Sequence, residues 1–255
     1  MSAEKIHGYT AEQVRAAEAP SLAQGVPLMQ RAADGLAAEV RTVLPHDGGV
    51  VLVLAGSGNN GADAMFAAAR LAAGTAGVPT GGSDDADDDA PGGTGAPDGG
   101  GVSVAIVPTG SRLHPEALAA ALEAGARLFD VGEAPALASV ADVVVDGILG
   151  TGTGTSGAAL RGTARDIVAA VLPALMENPH AYIVAVDIPS GVDPDDGTVA
   201  DPLVLPADIT VTFGARKAGL LIAPGSELAG DIRLIDIGLV AAYAAMPAAV
   251  SVDAG

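Results

Sequence analysis

Polar residues that could bind a ligand or move a proton follow apolar runs at several points of this sequence. Asn59 and Asn60 come shortly after the aliphatic run 50–55, and Asp146 and Asp187 each end a later run. Ser190 follows Asp187 by three residues. A carboxylate can transfer protons, and carboxylate, amide and hydroxyl oxygens can bind a hard cation. These residue types point to acid–base chemistry, cation binding or both.

Two glycine-rich loops accompany these residues. The first spans residues 56–63, Gly-Ser-Gly-Asn-Asn-Gly-Ala-Asp, and precedes a helix predicted over 62–73. A strand that turns through glycines into a helix N-terminus presents backbone N–H groups and a positive dipole end, which suit a phosphate. The second loop, residues 147–154, follows Asp146 and precedes a helix predicted over 163–176. The first loop therefore suits an anion such as a phosphate, and its two asparagines could in addition bind a cation, a ribose or an amide.

Strands and helices must alternate to position these loops. The apolar runs predict strands over 50–55, 102–107, 143–145, 181–186, 207–213 and 232–237, with a short strand at 127–130. Two helices are expected within 10–40, opened by a capping box of Thr10 and Gln13 and separated between Pro20 and Pro27, and another over 115–125. This order predicts a doubly wound parallel sheet, whose strand ends bring the candidate residues to one rim.

The composition limits the classes of partner. The chain has 255 residues, about half of them apolar, and a net charge of −19 with only Lys5 and Lys217 as lysines. One domain is therefore expected, and the acidic balance argues against nucleic acid. The absence of cysteine fits a reducing compartment. No apolar run reaches the roughly 18 residues of a membrane span, so a soluble, cytoplasmic protein without a membrane partner is expected.

Residues 79–101 differ from the rest of the chain. They consist almost entirely of Gly, Asp, Pro, Ala, Ser and Thr, and include an aspartate run at 84–89. Such a segment buries too little apolar surface to offset its ordering entropy, so we predict a disordered acidic insertion. A metal site made by the aspartates is the alternative.

Considered without reference to any family, the residues suggest three possible functions. The Gly56-x-Gly58-x-x-Gly61 pattern matches a dinucleotide fingerprint and suggests an NAD-dependent dehydrogenase, but the acidic ribose ligand expected about 20 residues later would fall in the acidic insertion. A serine hydrolase using Ser190 lacks the Gly-x-Ser-x-Gly elbow. A non-catalytic nucleotide-binding module remains an alternative, because the same types of residue serve in binding sites and in catalytic sites.

Three motifs in order resemble the NAD(P)H-hydrate epimerases, also described as the apolipoprotein A-I-binding protein family. They are Gly-Asn-Asn-Gly-x-Asp at 58–63, Val-Asp-x-Ile-x-Gly-Thr-Gly at 145–152, and Asp-Ile-Pro-Ser-Gly at 187–191 followed by Asp193. Further similarity lies at 28–32 and from 210 through Lys217 to Asp231. The resemblance covers residues 9–239 apart from the acidic insertion.

The resemblance implies a Rossmann-like three-layer α/β/α fold with a mostly parallel sheet. It also implies a homodimer that binds K+ and interconverts the R and S epimers of hydrated NADH and NADPH (NADHX and NADPHX) at C6 of the nicotinamide ring. The S epimer then serves a nucleotide-dependent dehydratase, so the implied function is metabolite repair.

Residue roles follow from the same motifs. The resemblance implies that Asp187 transfers the proton and touches the ring, that Asn60, Asp146 and Ser190 bind potassium, and that Lys217 meets a phosphate or hydroxyl. The residues implied to contact the hydrated dinucleotide lie in the two loops and at the end of the 181–186 strand: Asn59, Asn60, Gly61, Ala62, Asp63, Gly150, Thr151, Gly152, Thr153, Gly154, Thr155, Ser156 and Asp187.

The sequence departs from the family pattern in the first glycine loop. Ser57 replaces the usual proline, and Ala62 and Ala64 replace glycines; the alanines are tolerated if these positions are helical but not if either needs a positive φ.

We assign residues 1–240 to the epimerase domain and 241–255 to an alanine-rich tail. The residues leave open whether a dehydratase domain is fused to this chain.

Overall fold

The computed structural model describes residues 5–46, 48–73, 101–152 and 157–253. The acidic insertion, apart from Gly101, lies outside these residues, and so do Thr153, Gly154, Thr155 and Ser156 of the second glycine loop. Within the described residues, no helix is both long enough and apolar enough to cross a membrane.

Ten strands and eight helices form the described part of the chain. The strands are β1 (Lys5–Tyr9), β2 (Gly49–Ala55), β3 (Val102–Pro108), β4 (Arg127–Leu128), β5 (Val143–Gly147), β6 (Tyr182–Val186), β7 (Ile209–Phe213), β8 (Arg216–Lys217), β9 (Asp231–Ile235) and β10 (Val250–Asp253). The helices are α1 (Ala11–Ala23), α2 (Leu28–Val43), α3 (Asn59–Ala73), α4 (Pro115–Glu123), α5 (Ala134–Ala138), α6 (Gly162–Glu177), α7 (Gly225–Leu228) and α8 (Val240–Ala244).

Seven strands form one parallel sheet in the order β4-β3-β2-β5-β6-β7-β9. Side chains of β2 alternate between two cores: Val51 and Val53 pack with α2, α3 and α4, whereas Leu52 and Leu54 pack with α5 and α6. A strand buried on both faces needs a continuous aliphatic run, which β2 supplies. The expected three-layer α/β/α fold with a mostly parallel sheet is confirmed.

A second, three-stranded sheet joins the two ends of the described chain. β1 pairs antiparallel with β10 and parallel with β8, and Tyr9 stands opposite Lys217 in the register. None of these three strands was predicted from the sequence. The alanine-rich tail therefore contributes structure of its own, since it contains β10 and all of α8 except Val240, and β10 pairs with β1.

Two helix boundaries differ from the sequence expectation. The Thr10 capping box is present, but α1 runs through Pro20 and ends at Ala23, so the break between α1 and α2 is only four residues long. Proline near the last turn removes a single intrahelical hydrogen bond, which α1 tolerates. Helix α3 begins at Asn59, three residues earlier than expected, and therefore includes both asparagines.

Candidate active site

A cleft of about 740 Å³ opens at the carboxyl ends of the sheet strands. It is bordered by α1, by the turn from β2 into α3, and by the segments that follow β5, β6 and β7. The predicted residues that line it are Asn59, Asn60, Asp63, Gly150, Thr151, Gly152 and Asp187, together with Lys217. Gly61, Ala62, Asp146 and Ser190 are buried and are not among the residues that line it.

Asn60 links three segments around the cleft. Its Nδ2 donates hydrogen bonds to the backbone oxygens of Leu149 and Val186, both at 2.7 Å, so α3 is tied to the turn after β5 and to the last residue of β6. The Oδ1 of Asn60 faces Gly150, where an added Cβ would lie 2.7 Å from it. Gly150 is therefore required by the close approach of this amide.

The alanines that replace the usual glycines are compatible with the fold. Ala62 and Ala64 lie inside α3, are buried and have ordinary helical backbone angles rather than a positive φ. In such positions alanine is intrinsically more favourable than glycine. The first glycine loop and the start of α3 can therefore form with these two alanines without distortion of the backbone.

The glycines of the Gly56-x-Gly58-x-x-Gly61 pattern are not equivalent. A Cβ at Gly61 would overlap the carbonyl oxygen of Gly56, whereas a Cβ at Gly58 would meet nothing within 4 Å. We expect Gly61→Ala to lower the free energy of unfolding by about 1–3 kcal/mol, the range for overpacking. Gly58→Ala should change it by less than about 0.5 kcal/mol.

Urea denaturation of the two variants and the wild type measures this difference. Gly58→Ala is the matched control, because it makes the same chemical change three residues earlier, directly before α3 begins. Equal unfolding free energies for the two variants would contradict the close approach of Gly61 to the backbone of Gly56.

Asp146, near the end of β5, and Ser190, in the turn after β6, are joined by hydrogen bonds. The Oδ1 of Asp146 accepts from Ser190 Oγ at 2.6 Å and from the backbone N–H of Ile148 at 3.2 Å, and Oδ2 accepts from Ser190 N–H at 2.8 Å. Both residues are fully buried. Burial raises the pKa of Asp146, and the hydrogen bonds from Ser190 and Ile148 oppose that rise.

Asp187 lies at the floor of the cleft in an ion pair with Lys217. Its φ of 69° is in the left-handed region, which aspartate and asparagine adopt more readily than most residues. The carboxylate also accepts from Thr212 Oγ1 at 3.2 Å and from Phe213 N–H at 3.4 Å. The carboxylate therefore has a fixed position and a counter-ion.

Lys217 is 1% exposed and is surrounded by acceptors. Besides Asp187, its ammonium donates to Thr212 Oγ1 at 3.1 Å, Phe213 O at 3.1 Å and Ala215 O at 3.3 Å. Pairing of β8 with β1 fixes the backbone of Lys217. In this arrangement the ammonium supports Asp187 rather than extending toward a phosphate.

Asp63 is the third carboxylate, after Asp146 and Asp187, that the sequence motifs assign to the site. Its side chain lines the cleft from the first half of α3, while its Oδ1 is buried and has no hydrogen-bond partner among the described residues. Burial raises the pKa of Asp63 well above its usual value, and the negative charges of Asp187 and Glu18 raise it further, whereas Lys217 opposes them.

Sequence reasoning missed the contribution of α1. Arg15 and Glu18 both line the cleft, and Arg15 Nη1 donates to Thr151 O at 3.3 Å. Burial raises the pKa of Glu18, with Asp187 adding to the rise and Lys217 and Arg15 opposing it. Their i, i+3 spacing places them on one face of a helix, but nothing in the sequence shows that this face turns toward the strand ends.

Comparisons with known proteins identify the family of this chain. The family model described as YjeF-related protein N-terminus matches residues 25–89 and 98–219. A protein of Clavibacter sepedonicus named NAD(P)H-hydrate epimerase is 48% identical over 237 residues, which are 91% of this chain and 90% of that protein. The Mycobacterium tuberculosis protein named bifunctional NAD(P)H-hydrate repair enzyme Nnr is 36% identical over 242 residues, which are 91% of this chain and 42% of that protein.

A crystal structure of a yeast protein has the same fold. It superimposes with a TM-score of 0.65 at 17% identity and covers 88% of this chain and 86% of its own. The resemblance drawn from the three motifs is confirmed. This chain belongs to the YjeF-related protein N-terminus family, together with relatives named NAD(P)H-hydrate epimerases.

Proposed function

We propose that this protein is an isomerase that interconverts the R and S epimers of hydrated NADH and NADPH at C6 of the nicotinamide ring, in repair of the cofactor. The observation that carries the proposal is the Asp187 carboxylate, paired with buried Lys217 at the floor of the cleft. The relatives named NAD(P)H-hydrate epimerases support the same activity.

The reaction must remove the C6 hydroxyl from one face of the ring and restore it on the other. C6 is a carbinolamine carbon bonded to the ring nitrogen, so its C–O bond breaks once the hydroxyl is protonated. A positioned carboxylate can transfer the proton in either direction. Asp187 has the position for this role because it lines the cleft and is held by Lys217, Thr212 and Phe213.

The substrate would lie along the two glycine loops. The N-terminus of α3, residues 59–63, offers backbone N–H groups and a positive dipole end for the pyrophosphate. Gly150, Thr151 and Gly152 line the same cleft, and the proposal extends to Thr153–Ser156 by the family motif. Arg15 and Arg161 also line the cleft and would offset the phosphate charge in a chain whose net charge is −19.

Potassium is proposed as the bound cation, with Asn60, Asp146 and Ser190 as ligands. The donor set fits a hard cation, because Asn60 Oδ1, the Asp146 carboxylate, Ser190 Oγ and the nearby carbonyl of Leu149 are all oxygens. No group of three or more His, Cys, Asp or Glu side chains that could hold a metal occurs among the described residues. A bound potassium ion would supply positive charge that orders the loops and balances the phosphates.

Three further parts of the proposal concern the surroundings of the enzyme. A dehydratase would consume the S epimer. The bifunctional repair activity in the name of the Mycobacterium tuberculosis relative, and its greater length, support a partner of this kind. A homodimer and a cytoplasmic location are proposed on the family resemblance. The absence of cysteine is compatible with a reducing compartment.

Chromatography of the two epimers tests the activity. Purified R epimer of NADH hydrate is incubated with the protein in potassium buffer, and we expect the S epimer to appear faster than in buffer alone. Replacing potassium by tetramethylammonium should slow this step if the cation site is used. A dehydrogenase would instead transfer hydride with intact NAD, and a binding module would bind the hydrate and leave the spontaneous rate unchanged; either result would overturn the proposal.

A further inference from the structure

We propose that Asp63 is the acid of this site, and that it donates its proton to the C6 hydroxyl while the Asp187–Lys217 pair supplies the carboxylate that receives the proton of the incoming water. The inference rests on the proposed function. It adds a second proton-transfer residue to a site in which Asp63 was expected only to contact the substrate.

The geometry gives Asp63 an environment different from that of Asp187. The Asp187 carboxylate has Lys217 as a counter-ion and accepts from Thr212 and Phe213. Asp63 Oδ1 is buried without a hydrogen-bond partner among the described residues, although the side chain lines the cleft. A buried carboxyl oxygen without a donor or counter-ion favours the neutral acid.

On balance, the charged groups around Asp63 also raise its pKa. Glu18 of α1 and Asp187 after β6 are negative and favour protonated Asp63, whereas Lys217 of β8 is positive and opposes them. Burial is the largest cause of the raised pKa of Asp63. A carboxyl group that burial favours in the neutral form, beside a second carboxyl group that has a lysine counter-ion, is a common basis for separate acid and base roles.

The proposed step balances without an oxidant or reductant. Asp63 transfers its proton to the C6 hydroxyl, the C6–O bond breaks, and the oxygen leaves as water with the bonding pair. The lone pair of the ring nitrogen forms the C=N bond of an iminium ion. A water molecule then adds to the other face of C6 and gives its proton to Asp187, and proton exchange with solvent returns the proton to Asp63.

The first test is the pH dependence of turnover for the wild type and Asp63→Asn. In the wild type, turnover should fall as the pH rises through the pKa of Asp63, because the acid loses its proton. Asp63→Asn should lower kcat by about 10²–10⁴-fold, the usual contribution of a general acid. It should also abolish this alkaline fall, while the dissociation constant for NADH hydrate, measured by calorimetry, changes by only a few-fold.

Two control variants separate this role from a general loss of charge. Asp166→Asn removes an exposed carboxylate of α6 that does not line the cleft, and it should keep the wild-type pH profile. Glu18→Gln removes a negative charge that favours protonated Asp63. It should move the alkaline fall to lower pH without abolishing it.

The outcomes distinguish the inference from the proposed function. If the wild type does not exceed the spontaneous rate, the proposed function fails and the inference fails with it. Suppose instead that the wild type is active. If the kcat of Asp63→Asn is then within threefold of the wild-type kcat, or if its turnover still falls at alkaline pH, only the inference is overturned.

A second measurement applies if Asp63→Asn does not fold. Infrared spectroscopy of the wild type should then show a protonated carboxyl band at pH 7 that disappears at the pH at which turnover falls. A band absent at pH 7, or one that titrates at a different pH, would overturn the assignment of Asp63 as the acid.

Discussion

Lys217→Met is expected to lower the free energy of unfolding by about 3–5 kcal/mol, the usual cost of removing one partner of a buried ion pair. Lys217 is 1% exposed and Asp187 is 7% exposed, so neither charge is well solvated. Among the residues that the structure describes, the substitution leaves the Asp187 carboxylate with Thr212 Oγ1 at 3.2 Å and Phe213 N–H at 3.4 Å as its donors. Urea denaturation at neutral pH measures the loss.

Lys5→Met is the matched control, because Lys5 and Lys217 are the only lysines of the chain. Lys5 is exposed on β1, in the same small sheet as β8, and its replacement should change stability by no more than about 0.5 kcal/mol. The double variant Asp187→Asn/Lys217→Met removes both charges and should be more stable than Lys217→Met alone. A Lys217→Met variant as stable as Lys5→Met would contradict the buried ion pair.

The parallel sheet could be predicted because each buried strand has a local signal. Continuous aliphatic runs such as 50–55 and 143–145 are characteristic of strands with a helix layer on each face, and the structure places them in the centre of the sheet. The small sheet had no such signal. β1 and β10 are five and four residues long, and their pairing joins positions about 245 residues apart, so it depends on tertiary structure that no local pattern encodes.

The positions of the carboxylates could be predicted, but their partners could not. The rule that ligands gather at the carboxyl ends of parallel strands correctly brought Asn59, Asn60 and Asp187 to one cleft, whereas Asp146 and Ser190, which the same rule placed there, are buried and do not line it. The ion pair between Asp187 and Lys217 depends on β8, which was not predicted. Likewise, Glu18 contributes to the site only because α1 crosses the strand ends.

Asp187→Asn is expected to lower kcat by about 10²–10⁴-fold, because the amide cannot exchange a proton with substrate or water. Asparagine is the informative replacement at this position. It accepts a φ of 69° as readily as aspartate does, and its amide oxygen can still accept from Lys217 and Thr212. Alanine would add backbone strain of about 1–2 kcal/mol at this φ and would confuse a catalytic loss with a structural one.

Asp236→Asn is the matched control for this variant. Asp236 directly follows β9 as Asp187 follows β6, but it is exposed, does not line the cleft, and accepts from Gly238 N–H at 2.7 Å as a turn residue. Its amide can keep that bond, so turnover should stay at the wild-type value. The two variants thus compare the same substitution at equivalent places after parallel strands, one inside the cleft and one outside it.

Chromatographic measurement of kcat and KM with the R epimer separates the two roles that Asp187 could have. If Asp187 only bound the ring, Asp187→Asn would raise KM and leave kcat near the wild-type value, because the amide would weaken ground and transition states alike. If the carboxylate exchanges the proton, kcat falls while KM stays within a few-fold. Retention of at least a third of the wild-type kcat by a folded Asp187→Asn variant would therefore exclude Asp187 from proton transfer.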